Sequence, residues 1–366
     1  MDTTTAIILF AALAIGIGLQ VYLRRRKNKK EARNSQKLDP EQAELDIENE
    51  DTDLPPVKTI TVGTVLSSDI NLEVNGICKS FNHHKVVNDV SFTLNRGEIF
   101  GMVGPNGAGK TTAIRMIMDI LKPDSGDVVI LGQKFNDDVK EKIGYLPEER
   151  GMYKKLTVME SLTYMAALKG VEANPARSHA IDLLEKVGMG QHRDKKVEEL
   201  SRGMSQIVQF LITIQHDPEI VVLDEPFANL DPVNTRLLKD MVIEMRNKGT
   251  AIILSTHLMN EVEEMCDRIL MIHRGRAMLY GNLKDIKEKY RENSVFVQCD
   301  NLPGQIAGVS KTRQHSGYSE LFLTEDTKPQ EVLNALVNEG VRVDRFENAM
   351  PSLNDIFIQV VEEAKR

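Results

Sequence analysis

The 366-residue sequence contains no tryptophan, few aromatic residues and only three cysteines. Cys78, Cys266 and Cys299 are far apart and without Cys-x-x-Cys spacing, which argues against a disulfide scaffold or a structural zinc site and favours a reducing compartment. Basic residues are not in excess, since the formal net charge is -8, so we expect no nucleic-acid partner. The hydrophobic fraction of 41% suffices for a globular core, and the length favours two or three domains.

A long apolar run lies near the N-terminus. Residues 6–23 carry no charge, and a helix of this length spans about 27 Å, close to the ~30 Å hydrocarbon core of a bilayer. A basic cluster follows it: Arg24, Arg25, Arg26, Lys27, Lys29 and Lys30. A cleaved signal peptide, the alternative, has its basic residues before the apolar run. We therefore expect a single-pass transmembrane anchor within residues 1–30, with the rest of the chain on the cytoplasmic side of the cell membrane.

An acidic segment follows this predicted anchor. More than half of residues 39–53 are Asp or Glu, and Pro55 and Pro56 come next. A strongly charged segment without aromatic residues buries too little apolar surface to fold alone. Residues 31–68 are therefore predicted to be a flexible linker.

The central part of the chain contains a phosphate-binding motif. Apolar residues 97–103 predict a buried strand, and residues 113–121 predict a helix. Between them stand Gly104, Pro105, Asn106, Gly107, Ala108, Gly109, Lys110, Thr111 and Thr112. This stretch matches GxxxxGKS/T between a strand and a helix, the context in which the pattern binds nucleotide phosphates. The alternative for the motif alone is a glycine-rich turn that merely starts a helix.

Each residue type in this motif suits phosphate. The glycines let successive backbone N–H groups turn inward, and the helix N-terminus adds partial positive charge. Lys110 is a positive charge for the β- and γ-phosphates, and the Thr111 hydroxyl can bind Mg²⁺. A nucleotide phosphate together with Mg²⁺ is therefore expected here.

A second apolar strand, predicted over residues 220–223, ends in two acids, Asp224 and Glu225. In parallel α/β sheets, the carboxyl ends of strands are where ligands bind. Asp224 suits contact with Mg²⁺, and Glu225 is placed to polarise an attacking water. Taken alone, two acids at a strand end are also common as helix N-caps.

Residues 200–206, Leu-Ser-Arg-Gly-Met-Ser-Gln, complete a set of motifs that resembles the ATP-binding subunits of ABC transporters. The family signature is LSGGQ, of which this chain keeps the Ser and the second Gly but neither the first Gly nor the Gln. The resemblance is to the exporter branch, which includes sodium-efflux and drug-export ATPases. It covers residues 70–285 and implies an α/β P-loop NTPase fold with a helical subdomain.

The resemblance also implies roles for residues outside the strand ends. It makes Phe81 the aromatic residue that stacks on adenine, and His257 the switch histidine that contacts the γ-phosphate. Asp231 falls in the loop that lies across the subunit interface. The family usually has Gln where this chain has Glu148; a carboxylate can still bind Mg²⁺, so we expect activity to be retained.

The same resemblance implies partners. Ser201 and Gly203 would bind ATP held by the phosphate motif of another subunit, and the chain has one copy of each motif. A second ATPase subunit, forming a homodimer, is therefore expected. A separate multi-span permease is expected too, because residues 6–23 are the only segment of membrane length. Helices predicted over 157–169 and 175–187 would form the helical subdomain that contacts it.

The last part of the chain predicts a small α/β domain. Strands are expected over 294–298, 320–323 and 341–346, and helices over 329–337 and 352–361. We assign residues 69–290 to the ABC ATPase domain and 291–366 to an accessory domain that stabilises a dimer or regulates it. The expected function is the ATP-hydrolysing subunit of an ABC exporter. The alternatives are a non-transport ABC ATPase and a membrane-anchored nucleotide-dependent regulator.

Overall fold

A computed structural model describes residues 58–59, 69–149 and 151–364 of the chain. Its strands, in chain order, are β1 (Lys58–Thr59), β2 (Ile70–Phe81), β3 (His84–Asn95), β4 (Ile99–Val103), β5 (Ser125–Ile130), β6 (Ile143–Leu146), β7 (Ile220–Asp224), β8 (Ala251–Thr256), β9 (Arg268–His273), β10 (Arg276–Asn282), β11 (Ser294–Cys299), β12 (Val309–Gln314), β13 (Ser319–Leu323) and β14 (Val343–Asn348).

The helices follow the same chain order. They are α1 (Lys110–Ile117), α2 (Asp137–Glu141), α3 (Val158–Ala167), α4 (Ala173–Lys186), α5 (Arg202–Ile214), α6 (Pro232–Asn247), α7 (Met259–Met265), α8 (Leu283–Lys289), α9 (Pro329–Asn338) and α10 (Leu353–Glu363). Among the residues just given, no helix is both long and apolar enough to cross a bilayer. The predicted anchor, residues 1–30, lies outside the described part of the chain.

The largest sheet positions the predicted site. Its order is β1-β10-β9-β4-β8-β7-β6, and all neighbouring strands are parallel except the β9–β10 pair. Every residue of β4, β7 and β8 is buried, as expected for central strands of a parallel sheet that is covered on both faces. Because these three strands run in the same direction, the segments that follow them meet at one edge of the sheet.

Two further layers surround this sheet. An antiparallel sheet of order β3-β2-β5 shares its apolar core with β4 and α1, through residues such as Phe92, Phe100 and Ile114. Helices α3, α4 and α5 pack together as the predicted helical segment. The Thr157 side chain caps α3 by accepting from the Glu160 N–H at 3.1 Å, while the Glu160 carboxylate accepts from the Thr157 N–H at 2.8 Å.

The C-terminal residues form a third sheet with its own core. Its order is β12-β13-β11-β14, and all its pairs are antiparallel. Val295, Leu321 and Val332 are among the buried residues that join this sheet to α9. The last helix, α10, instead packs against α7 and β10 of the preceding part of the chain.

Three departures from the sequence prediction have a physical reason in the structure. Helix α1 spans Lys110–Ile117 rather than 113–121, because Asp119 takes a left-handed backbone conformation (φ 56°) that ends the helix. Strand β12 was not predicted, because its residues are mostly exposed and polar and give no apolar alternation. Lys58–Thr59, inside the predicted linker 31–68, pairs in parallel with β10, whose open edge offers free backbone N–H and C=O groups.

A buried ion pair lies between β9, which contains Arg268, and the residue before β4, Glu98. Arg268 is 8% exposed and Glu98 5% exposed, and the guanidinium lies 3.2 Å from the carboxylate. The same guanidinium donates to the Thr93 carbonyl at 3.2 Å and lies over the rings of Phe100 and Tyr280. Burial raises the pKa of Glu98, and the positive charge of Arg268 opposes that shift.

We predict that Glu98→Ala lowers the free energy of unfolding by about 3–5 kcal/mol, because it leaves the Arg268 charge buried without its partner. Urea denaturation followed by circular dichroism measures this loss. Asp137→Ala, which removes the exposed partner of Lys140, is the matched control and should leave the denaturation midpoint nearly unchanged. Equal midpoints for Glu98→Ala and wild type would contradict the prediction.

Candidate nucleotide-binding and hydrolysis site

Residues 104–112, the phosphate loop, lead from the end of β4 into the first turn of α1. Gly109 has φ 105°, and a Cβ atom there would lie 2.5 Å from the Val86 carbonyl oxygen. A Cβ atom at Gly104 would lie 2.1 Å from the Ile272 carbonyl oxygen. Both positions therefore require glycine for steric reasons. Helix α1 begins at Lys110 and its first i-to-i−4 hydrogen bond runs from the Ala113 N–H to the Gly109 carbonyl, so the N–H groups before Ala113 can bind an anion.

Lys110 lies inside this loop and is 6% exposed. Its ammonium group donates to the carbonyl oxygens of Gly104 at 2.7 Å and Pro105 at 3.2 Å. Burial lowers the pKa of Lys110, and the negative charges of Glu225, Asp224 and Glu148 oppose that shift. The site therefore contains one buried cation, Lys110, and the charges of three acids act on it. All four residues were named as site candidates from the sequence.

Asp224 is the most buried of these acids, at 1% exposed. Within the described residues, neither of its carboxylate oxygens has a hydrogen-bond partner. Burial raises its pKa; the nearby hydroxyls of Ser255 and Thr111 oppose that shift, whereas Glu148 adds to it. A buried carboxylate without partners is costly, and a bound cation would remove that cost.

The donors around Asp224 fit Mg²⁺. Carboxylate and hydroxyl oxygens are the ligands this ion prefers, and it typically takes only one or two protein carboxylates together with substrate phosphates and water. Thr111, Asp224 and Glu148 could therefore hold Mg²⁺ together with a nucleotide. The part of the chain described by the structure contains no group of three or more His, Cys, Asp or Glu residues able to hold a metal ion.

Glu225 and His257 form a direct pair. The Glu225 carboxylate lies 2.7 Å from His257 Nδ1 and also accepts from the His257 backbone N–H at 3.1 Å. Glu225 has a left-handed backbone (φ 50°), and its N–H donates to the Ser255 carbonyl at 2.9 Å. A non-glycine residue in this conformation is strained, and such strain concentrates at functional sites. The conformation turns the Glu225 side chain from the end of β7 towards the end of β8.

Two neighbours of this pair, Thr256 and Glu261, were not predicted from the sequence. The Thr256 hydroxyl lies 3.3 Å from one oxygen of Glu225 and 3.1 Å from one oxygen of Glu261. Thr256 and Glu261 are both buried. Thr256 directly precedes the predicted His257, but nothing in the local pattern distinguishes its hydroxyl from any other at a strand end.

Glu148 follows β6 and is exposed. Its negative charge acts on both Lys110 and Asp224. We predict that Glu148→Gln keeps kcat for ATP hydrolysis within about tenfold of wild type but raises the Mg²⁺ concentration needed for half-maximal rate, because an amide binds the ion less strongly than a carboxylate. Phosphate release measured against MgCl2 concentration tests this.

The neighbouring exposed residue offers the control, Glu149→Gln, which should change neither parameter. A hundredfold rise in kcat for Glu148→Gln would mean instead that the native carboxylate impairs the site.

Phe81 lies at the end of β2, apart from the acids. Asn82 and His83 have φ 48° and 67°, which forms a tight two-residue turn of the mirror-image type between β2 and β3. The Phe81 ring is 46% exposed, and Lys79 Nζ lies 5.9 Å from its centroid. An exposed ring is available for stacking, and the adenine contact stays a prediction.

Ser201, Gly203 and Asp231 form a separate group. Ser201 caps α5 and accepts from the Met204 N–H at 3.2 Å, while Asp231 caps α6 and accepts from the Val233 N–H at 3.0 Å. Gly203 lies beside Asn229, since a Cβ atom on it would be 3.7 Å from that carbonyl oxygen. Among the described residues, no hydrogen bond joins Ser201 or Gly203 to the phosphate loop.

Comparison with known proteins places these features in a family. A family profile described as "ABC transporter" matches residues 87–228. The "Uncharacterized ABC transporter ATP-binding protein YhaQ" of Bacillus subtilis is 37% identical over 293 residues, which are 79% of this chain and 98% of that protein. The chain belongs to the ABC transporter ATP-binding proteins. A second profile, "ATP-binding protein DrrA1-3-like, C-terminal domain", matches residues 281–361 of this ABC transporter ATP-binding protein.

One further relative and one solved structure support the same family assignment. The "Linearmycin resistance ATP-binding protein LnrL" of Bacillus subtilis is 34% identical over 218 residues, 59% of this chain and 70% of that protein. A solved structure titled "Structure of ATP binding subunit of ABC transporter" superimposes with a TM-score of 0.58 and 30% identity, covering 60% of this chain and 93% of that one.

These matches bear on the expectations from the sequence. The α/β P-loop ABC ATPase fold is confirmed, and so is the function of an ATP-binding, ATP-hydrolysing subunit of an ABC exporter. ABC ATPase subunits dimerise and work with a separate membrane permease, so this ABC transporter ATP-binding protein is associated with a membrane transporter complex. The roles of individual residues stay predictions.

Proposed function

We propose that this protein hydrolyses Mg·ATP in sites shared between two copies of the chain, and that closure of the homodimer drives export through a separate multi-span permease. The observation that carries the proposal is a division within one chain. The phosphate loop, Asp224, Glu225 and His257 lie together, whereas within residues 69–149 and 151–364 no hydrogen bond joins the signature residue Ser201 to them. One chain thus offers two half-sites.

The phosphate loop would bind the nucleotide. Its backbone N–H groups at the start of α1 would accept the phosphates, and Lys110 would exchange its carbonyl contacts for phosphate oxygens. Thr111, Asp224 and Glu148 would hold Mg²⁺, which neutralises phosphate charge when it is bound. The exposed ring of Phe81 would stack on the adenine.

Glu225 and His257 would carry out the chemistry. With the Glu225 carboxylate ionised, His257 would donate through Nδ1 at 2.7 Å, and in the doubly protonated ring Nε2–H would donate to the γ-phosphate. The Glu225 carboxylate would then orient a water molecule for in-line attack on that phosphate and accept its proton.

A second copy would complete the site. The N-terminus of α5, with the Ser201 hydroxyl and the Gly203 N–H, is a ready anion site, and Asp231 lies in the adjoining loop. A head-to-tail arrangement with twofold symmetry would place each signature segment on the partner's ATP. Hydrolysis would remove the contact that holds the two copies together, which couples chemistry to opening.

The chain would divide into an ATPase domain, 69–290, and an accessory domain, 291–366. The separate core around Val295 and Val332 supports this division. Helix α10 connects the accessory domain to α7, because the Leu353 N–H donates to the Glu263 side chain. Glu263 is two residues beyond Glu261, which contacts Thr256. We therefore assign the accessory domain a regulatory or dimer-stabilising role.

Residues 6–23 and the basic residues after them would anchor the chain in the membrane, with the ATPase domain on the cytoplasmic side. The support is the sequence alone. Membranes washed with carbonate at high pH test the proposal: a chain expressed without its permease should stay in the pellet, and a variant lacking residues 1–30 should be released. Release of both chains would contradict an anchor.

A pull-down tests the proposed function. Tagged Glu225→Gln protein, purified from detergent-extracted membranes with ATP, should retain a multi-span permease in about equal amount. The matched control is Lys110→Ala, which should not hold the ATP-closed state. Recovery of only ribosomal, DNA-processing or signalling proteins would favour a non-transport ABC ATPase or a regulator instead.

A further inference from the structure

The Thr256 hydroxyl lies between two carboxylates. Its oxygen is 3.3 Å from Glu225 Oε2 and 3.1 Å from Glu261 Oε2, and it accepts from the Leu258 N–H at 3.2 Å. A hydroxyl has one proton to donate. If both acids are ionised, only one of the two oxygen–oxygen contacts can be a hydrogen bond, and the other is repulsive.

The Thr256 hydroxyl cannot donate to bulk water instead. Thr256 is fully buried at 0% exposed, and Glu261 is 7% exposed. Both contacts can be full two-centre hydrogen bonds only when one acid carries a proton. The Glu225 carboxylate accepts from the His257 backbone N–H at 3.1 Å and lies 2.7 Å from His257 Nδ1, whereas among the described residues the Glu261 carboxyl has a hydrogen-bond contact only with Thr256, so the proton is placed on Glu261.

We propose that Glu261 is a positioning residue for hydrolysis: in its protonated form it donates to Thr256 Oγ1, which in turn donates to Glu225 and holds that carboxylate in place for the attacking water. When Glu261 loses its proton, the Thr256 hydroxyl donates its hydrogen bond to Glu261 instead of to Glu225. Glu225 then loses one of its three donors. The proposal rests on the role of Glu225 proposed above.

The charges around Glu261 are consistent with a protonated carboxyl. Burial raises its pKa, and the negative charge of Glu225 adds to that shift, whereas Lys239 of α6 and His257 oppose it. Glu261 also lines a cavity of about 570 Å³ between α6 and α7, whose lining includes the exposed Glu264. Glu261 therefore borders solvent-accessible space.

Steady-state ATP hydrolysis by the full chain tests the proposal. Thr256→Val keeps the shape of the side chain but removes the hydroxyl, and we expect kcat to fall about tenfold while KM for ATP stays within about twofold. Thr256→Ser, which restores a hydroxyl, should recover most of that loss. Melting temperatures show whether each variant is folded.

The pH profile separates positioning from structural support. Glu261→Gln keeps a donor at every pH, so the ratio of its kcat to that of wild type should rise with pH. In the Thr256→Val background, Glu261→Gln should have no further effect. A constant ratio, equal effects of Glu261→Gln in both backgrounds, or wild-type kcat in folded Thr256→Val would overturn the proposal. Absence of ATP hydrolysis by wild type would instead overturn the proposed function.

Discussion

Replacing Glu225 by Gln is expected to lower kcat for ATP hydrolysis about a thousandfold while leaving ATP affinity within a few fold of wild type. The amide is nearly the same shape as the carboxylate, and its oxygen can still accept from the His257 N–H groups. What it loses is the ability to accept a proton from the attacking water, and positioned general bases contribute about 10²–10⁴-fold to rate. Phosphate release and nucleotide titration measure the two quantities separately.

The same variant should accumulate as an ATP-bound dimer, because the step that opens the site is blocked. Size-exclusion chromatography with ATP, compared with ADP, tests this. Glu264→Gln, which changes an exposed acid of α7, is the matched control and should behave as wild type. If Glu225→Gln hydrolysed ATP as fast as wild type, another group would have to be the base.

Replacing Lys110 by Ala should weaken ATP binding about a hundredfold. The variant loses a charge-assisted contact to the phosphates, and hydrogen bonds to charged groups contribute about 1.5–3 kcal/mol each. It also leaves Asp224, Glu148 and Glu225 without the cation that offsets their repulsion of the nucleotide. Isothermal titration with Mg·ATP measures the affinity directly.

A melting experiment gives a second readout for Lys110→Ala. A ligand at 100 times its dissociation constant stabilises the native state by about 2.7 kcal/mol, so Mg·ATP should raise the melting temperature of wild type but not of this variant. Lys122→Ala, near the other end of α1 and exposed, is the control and should keep the full shift. An unchanged affinity for Lys110→Ala would show that the loop backbone alone holds the phosphates.

The sequence predicted those parts of the site that follow from local order. The phosphate loop was found because its glycines, Lys110 and Thr111 are adjacent in the chain and their chemistry depends on that adjacency. Asp224 and Glu225 were found because an apolar strand ends in acids. The direction of the parallel strands then brings these segments to one edge, as the central sheet bears out.

Contacts between side chains far apart in the chain could not be predicted in this way. The pairing of Glu225 with His257 depends on the left-handed backbone at Glu225, which no propensity for a glutamate suggests. The position of Glu261 beside Thr256 depends on how α7 leaves β8. Strand β12 was missed for a different reason, since a mostly exposed edge strand has no apolar pattern to detect.

The pairing of Lys58–Thr59 with β10 bears on how the chain should be shortened for crystallisation or biophysics. A truncation that begins at Asp69, where the ATPase domain was predicted to start, would strip this two-residue strand and leave the outer backbone groups of β10 open. Unpaired sheet edges recruit strands from other molecules, so such a fragment is expected to self-associate. Starting the shortened chain at Pro55 instead would keep Lys58–Thr59 paired with that edge of β10.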